Sequence, residues 1–184
     1  AYFSEKLRQQ RFALSQEALR PYFPLPGVLA GLFEVATRLY GIRFVARDEV
    51  ATWHPDVRYY ALLDRGGKEF GGFYLDPFAR TGKRGGAWMG EAVMRKRLGA
   101  DVALPVAHLV CNFMPPVGDA PALLTHDDVV TLFHEFGHGL HGLLSNVTFQ
   151  RLSGTNVLRD FVELPSQLYE HWISYTVVSS AYKA

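Results

Sequence analysis

Twice along the 184 residues the hydrophobic pattern changes period, and these two changes limit the possible folds more than any other feature. From 28 to 40 the apolar residues Val28, Leu29, Leu32, Phe33, Val35, Ala36 and Leu39 recur at helical spacing, and Gly41 stops the helix. Segments 42–45, 57–63, 70–75 and 104–113 are then rich in β-branched and aromatic residues, as strands are. Arg65-Gly66-Gly67 supplies a hairpin turn between the second and third, and Pro115-Pro116 closes the fourth. Near Thr125 the helical period returns. Thr125 and Asp128 form a capping-box-like pair ahead of Val129, Val130, Leu132 and Phe133, which predicts a helix running to about 145. A last helix is expected over about 161–174, and shorter ones over 4–14, beyond a Ser15 cap, and over 91–98. The sum is an α+β fold: a small mixed sheet held between helices, with the helix after Thr125 packed near it.

The chain suits one domain with a real core, and its 48% hydrophobic and 20% charged residues describe a soluble globular protein. Nineteen basic against 18 acidic side chains leave a net charge of +1, which gives no nucleic-acid surface. No apolar run approaches the roughly 20 residues that span a bilayer. Tyr2-Phe3-Ser4-Glu5-Lys6 has no signal-peptide layout, and the single cysteine, Cys111, excludes an internal disulfide. A reducing cytoplasm fits these features. The chain opens without a Met and inside a helical pattern, so it is expected to be a piece of something longer.

The helix after Thr125 carries His134-Glu135-Phe136-Gly137-His138. Imidazoles four residues apart share a helix face, about 6 Å apart, and can reach one small cation. Glu135 points some 100° round the helix, where it can take a proton from a water beside that cation. Zinc in a hydrolytic site commonly has three protein ligands. His141 rises about 10.5 Å beyond His134, too far to join His134 and His138 on one ion. It is left as a supporting or substrate contact, or as a partly buried helix-face histidine. The acids that follow are Asp160, Glu163 and Glu170, three and seven residues apart and so expected on one helical face. Position alone does not choose among them. His54, His108, His126 and His171 read as structural, and the closely spaced Gly137, Gly139 and Gly142 as a place where another chain segment packs tightly.

Residues 134–138, followed 25 residues later by Glu163 within Phe161-Val162-Glu163-Leu164-Pro165-Ser166-Gln167, resemble the thimet oligopeptidase family of zinc metallopeptidases. Leu19-Arg20-Pro21-Tyr22-Phe23, His54-Pro55-Asp56-Val57-Arg58, Gly85-Gly86-Ala87-Trp88-Met89, Ser153-Gly154-Thr155-Asn156 and Glu170-His171-Trp172 extend the likeness, which is greatest to its bacterial peptidyl-dipeptidases. The resemblance implies a zincin-like core and one Zn²⁺ held by His134, His138 and Glu163, with Glu135 as general base. It implies Asp160 and Glu170 as groups behind the ligands, and residues 82–88 as an edge strand that pairs with substrate. It implies short peptides as substrates, no nucleic-acid or membrane partner, and release of C-terminal dipeptides, with endo-cleavage or a metal-binding core of incomplete activity as alternatives. The family's tyrosine-bearing loop, which stabilises the oxyanion, has no counterpart among these residues.

Overall fold

The computed structural model describes residues 2, 3, 6, 7, 11 and 16–173. A helical turn, Gln16–Leu19, runs into a 3₁₀ turn, Arg20–Tyr22, and then into helix α1, Leu25–Tyr40. Gly41 ends α1 in the left-handed conformation at φ 69° and donates its N–H to Thr37 O, a conformation only glycine adopts cheaply. The expected helix over 4–14 falls largely outside the described residues, as does Ser15; the turn expected beyond Ser15 is present as Gln16–Leu19.

Seven strands follow: β1 Arg43–Ala46, β2 Arg58–Leu63, β3 Glu69–Phe78, β4 Trp88–Val93, β5 Lys96–Leu98, β6 Asp101–Ala103 and β7 Val106–Phe113. Five form one sheet in the order β1-β2-β3-β7-β4, while β5 and β6 make a separate hairpin. β1, β2 and β3 are an antiparallel meander, with the predicted turn at Arg65-Gly66-Gly67, where Asp64 N–H meets Lys68 O at 2.9 Å. β3 and β7 pair in parallel, and β4 adds antiparallel to β7 as the edge strand. Of residues 82–88, expected to be that strand, only Trp88 belongs to it; 82–87 are turn and loop. The expected helix over 91–98 is a correction: 91–93 belong to β4 and 96–98 to β5, with Met94 and Arg95 linking them. Pairing of Glu91 and Val93 with β7, and of Lys96–Leu98 with β6, outweighs the local helical preference of this stretch.

Helix α2, His126–Leu143, opens with the anticipated capping box: Asp128 N–H donates to Thr125 Oγ1 at 3.1 Å and Thr125 N–H to Asp128 Oδ2 at 2.9 Å. It packs on β7 and β4, and its residues Val129, Leu132, Phe133, Phe136, Leu140 and Leu143 are all buried at helical spacing. Phe136 sets the helix's rotation. Its ring centroid lies 5.7 Å from Phe44, Phe73 and Tyr169 alike, so a residue in the middle of the histidine motif is anchored in the core. Burying such a ring stabilises the fold by roughly 1.5–3 kcal/mol.

Helix α3 spans only Leu164–Glu170 and packs against α2. The longer helix expected over 161–174 is therefore shortened at its start, and its final residue lies outside the described ones. Pro165 occupies the first turn, where a proline initiates a helix rather than continuing one. Residues 159–163 form turns, so Asp160 and Glu163 do not share a helical face with Glu170 as the sequence suggests.

Candidate metal centre

With Phe136 turned inward, His134 and His138 face the segment entering α3. Their Nε2 atoms stand 3.2 Å apart. Glu163 Oε2, delivered by the turn that caps α3, lies 3.2 Å from the first and 3.1 Å from the second. Three donors thus form a nearly equilateral triangle. A tetrahedral ion with bonds of about 2.0–2.1 Å separates its ligands by about 3.3 Å, so the set fits a small divalent cation. His134, His138 and Glu163 are the group among the described residues whose donor atoms converge in this way.

The protonation pattern supports that fit. Glu170 Oε1 accepts from His134 Nδ1 at 2.7 Å, which leaves the Nε2 lone pair facing the centre. Ser166 Oγ lies 3.0 Å from Glu163 Oε2 and 2.8 Å from the Glu163 carbonyl, orienting the carboxylate from inside α3. Burial raises the Glu163 carboxyl's affinity for a proton, but Ser166, His138 and His134 together hold it below its ordinary value. Burial keeps His138 below the ordinary imidazole value, with Glu163 opposing and His134 reinforcing that effect. Both changes favour the protonation states that bind a metal. The Glu163 side chain is 49% exposed against 12% for His138, so the centre opens to solvent on the Glu163 side.

Glu135, beside His134 in the chain, is buried. Burial pushes its carboxyl above the ordinary value, opposed by His134 and by a hydrogen bond from the Met89 backbone N–H, with Glu163 adding a smaller upward push. That hydrogen bond ties the motif to the edge strand. Sequence reasoning missed it because a backbone donor leaves no mark in the residue letters. It also missed Ser166, whose signal was available: a hydroxyl three residues after Glu163, at a helix start.

The other anticipated residues scatter. Asp160 is exposed in the turn before α3, and among the described residues no hydrogen bond or ion pair ties it to the histidines. His141 lies farther along α2, its ring 6.3 Å from Phe161 and its buried Nδ1 without a partner among the described residues. It lines a separate cavity of about 350 Å³ with Tyr40, Leu164 and Tyr169, and burial lowers its proton affinity. His108 packs against Trp53 and Tyr74, His126 against Phe23, and His54 pairs with Asp56, while His171 is exposed. Of the three closely spaced glycines, Gly137 abuts another backbone, while Gly139 and Gly142 abut side chains. A Cβ on Gly137 would stand 2.7 Å from Ser166 Cα and one on Gly139 3.0 Å from Leu109 Cδ2; one on Gly142 would meet Glu91 Oε1 at 3.1 Å. Cys111 is fully buried, and burial raises its thiol's proton affinity.

Two histidines of α2 and a glutamate from the turn before α3 thus form a group that could hold a metal, beside the buried Glu135. The whole chain, residues 1–184, matches Peptidase family M3, and the protein belongs to that family of metal-dependent peptidases. It is 53% identical to Oligopeptidase A of Escherichia coli (strain K12) over 94% of this chain and 26% of that protein. It is 47% identical to Dipeptidyl carboxypeptidase of the same organism over 99% of this chain and 27% of that protein. A Thimet-like oligopeptidase of Dictyostelium discoideum is 37% identical over 94% of this chain, in keeping with the family resemblance read from the sequence. The chain spans about a quarter of the length of the curated relatives it matches.

Proposed function

We propose that these residues are the catalytic core of a zinc peptidase that hydrolyses short peptides, with His134, His138 and Glu163 as the metal ligands. The observation that carries this reading is the triangle of donor atoms at 3.1–3.2 Å, beside a buried glutamate that ligates nothing. A Zn²⁺ held there would polarise the scissile carbonyl and bring the pKa of a water toward about 7. Glu170 fixes the His134 tautomer. Glu135 takes the proton from the attacking water and returns it to the leaving amine, and its raised proton affinity suits a group that must do both. The free edge of β4 offers backbone groups to an extended peptide, so its side chains need not be recognised one by one.

Release of C-terminal dipeptides is the narrower form of this proposal. Endo-cleavage is the second reading, supported by the 53% identity to a protein named Oligopeptidase A. Peptides with a free or an amidated C-terminus separate the two: a dipeptide-releasing enzyme discriminates strongly against the amide.

The central test is Glu135→Gln, assayed by metal content and by cleavage of an internally quenched peptide. The expected result is one bound metal per chain and a rate about 10²–10⁴-fold lower. Undiminished cleavage would remove Glu135 from the mechanism. Bound metal with no wild-type turnover would instead describe a metal-holding core of incomplete activity.

A further inference from the structure

The connection from β3 to β4 must step over β7, because both strands pair with β7 from opposite sides. Val110 on β7 is the register partner of Asp76 on one side and of Trp88 on the other, so the edge strand begins level with Asp76. Lys83 lies within this connection, its side chain 5% exposed and that of Asp76 3%. The Lys83 ammonium donates to Asp76 Oδ1 at 2.8 Å and faces the backbone carbonyls of Asp76 at 3.0 Å, Phe78 at 2.8 Å and Cys111 at 2.6 Å. Arg80 grips the same carboxylate with two bonds, at 2.6 and 2.8 Å, and the Trp53 indole N–H adds a third at 3.1 Å.

A second clamp holds the far end of the connection. Asn112 Nδ2 donates to Arg84 O at 2.8 Å and to Gly86 O at 2.6 Å. Gly86, at φ 89°, then turns the chain into Trp88, and the next residue's N–H meets Glu135. A buried ion pair adds little net stability over apolar residues of similar volume, so its effect here is better sought in geometry than in stability. Every bond from Lys83 and Asn112 to the backbone fixes the path by which β3 hands over to the edge strand.

We infer that Lys83, Asp76 and Asn112 are positioning residues that set the height and register of β4 against Glu135, and so align a peptide paired along that edge. The inference rests on the reading of β4 as the peptide-pairing strand. None of the three touches substrate; they act through the backbone of residues 84–89.

Asn112→Asp is the decisive variant, because it replaces a donor between two carbonyls by an acceptor of the same shape. It is made in the Glu135→Gln protein, so that a fluorescent short peptide binds without turnover. Expected are faster amide exchange over residues 84–93 and a peptide Kd raised about tenfold, with metal content and melting temperature close to those of the parent. Lys83→Met should move both readouts the same way; if it does not fold, Asn112→Asp alone decides. An unchanged Kd, or unchanged exchange, overturns the inference. So does a Glu135→Gln protein that holds metal but takes up no peptide, whereas the peptidase reading itself is judged separately by wild-type turnover.

Discussion

Glu170 decides which nitrogen of His134 carries the proton, and so whether the other has a lone pair to offer. Glu170→Ala is expected to weaken metal binding about 10–100-fold, measured by competition with a chromogenic chelator. Glu163→Ala removes a donor outright and should weaken it further; equal affinity in that variant would refute the ligand set. That His134 and His138 face the same way was legible because helix geometry gives residues four apart a shared face. Spacing left Glu163 tied with Asp160 and Glu170, and the family resemblance separated them. Asp160 was misplaced because Pro165 starts the helix after it, breaking the face that three- and seven-residue intervals would have made.

The meeting of α2 with α3 depends on Gly137, where a methyl group would press on the Ser166 backbone rather than on a side chain that can swing away. Gly137→Ala should therefore cost about 1–3 kcal/mol and also weaken metal binding, because α3 carries Ser166 and follows directly on Glu163. A variant as stable as the parent in urea, with the same metal affinity, would show that α3 can yield. The strap between β3 and β4 carries a pH signature. Burial alone would raise the Asp76 carboxyl, but hydrogen bonds from Arg80, Lys83 and Trp53, with the Lys83 charge, lower it from 3.8 to about 2. A carboxyl depressed by folding adds stability above about pH 4 that is lost as pH falls through 2. Denaturation midpoints measured between pH 5 and 2 should fall less steeply in Asp76→Asn. The elements themselves were legible wherever burial imposes a period, as in α1, β2 and α2. Residues 91–98 were not, since pairing makes their strands: 91–93 lie against the distant β7, and 96–98 against β6.

At the scale of the molecule, an ion at the triad would join α2 to the segment before α3, two parts of the chain otherwise held by packing. A ligand present at 1,000 times its Kd stabilises the folded state by about 4 kcal/mol. Chelation should then lower the melting temperature by about 10 °C, and the Glu163→Ala protein should hardly respond. An unaltered wild-type melting curve in EDTA would mean that no tightly held ion contributes. Among the described residues no helix is long and apolar enough to cross a membrane. The order of the donors along the chain also bears on synthesis. A ribosome releases the imidazoles 29 and 25 residues ahead of the carboxylate, so a nascent chain can offer only a two-point, weakly chelating grip until that later stretch has emerged and docked. Any cation taken up at these three donors would wait for that stretch before meeting its full ligand set.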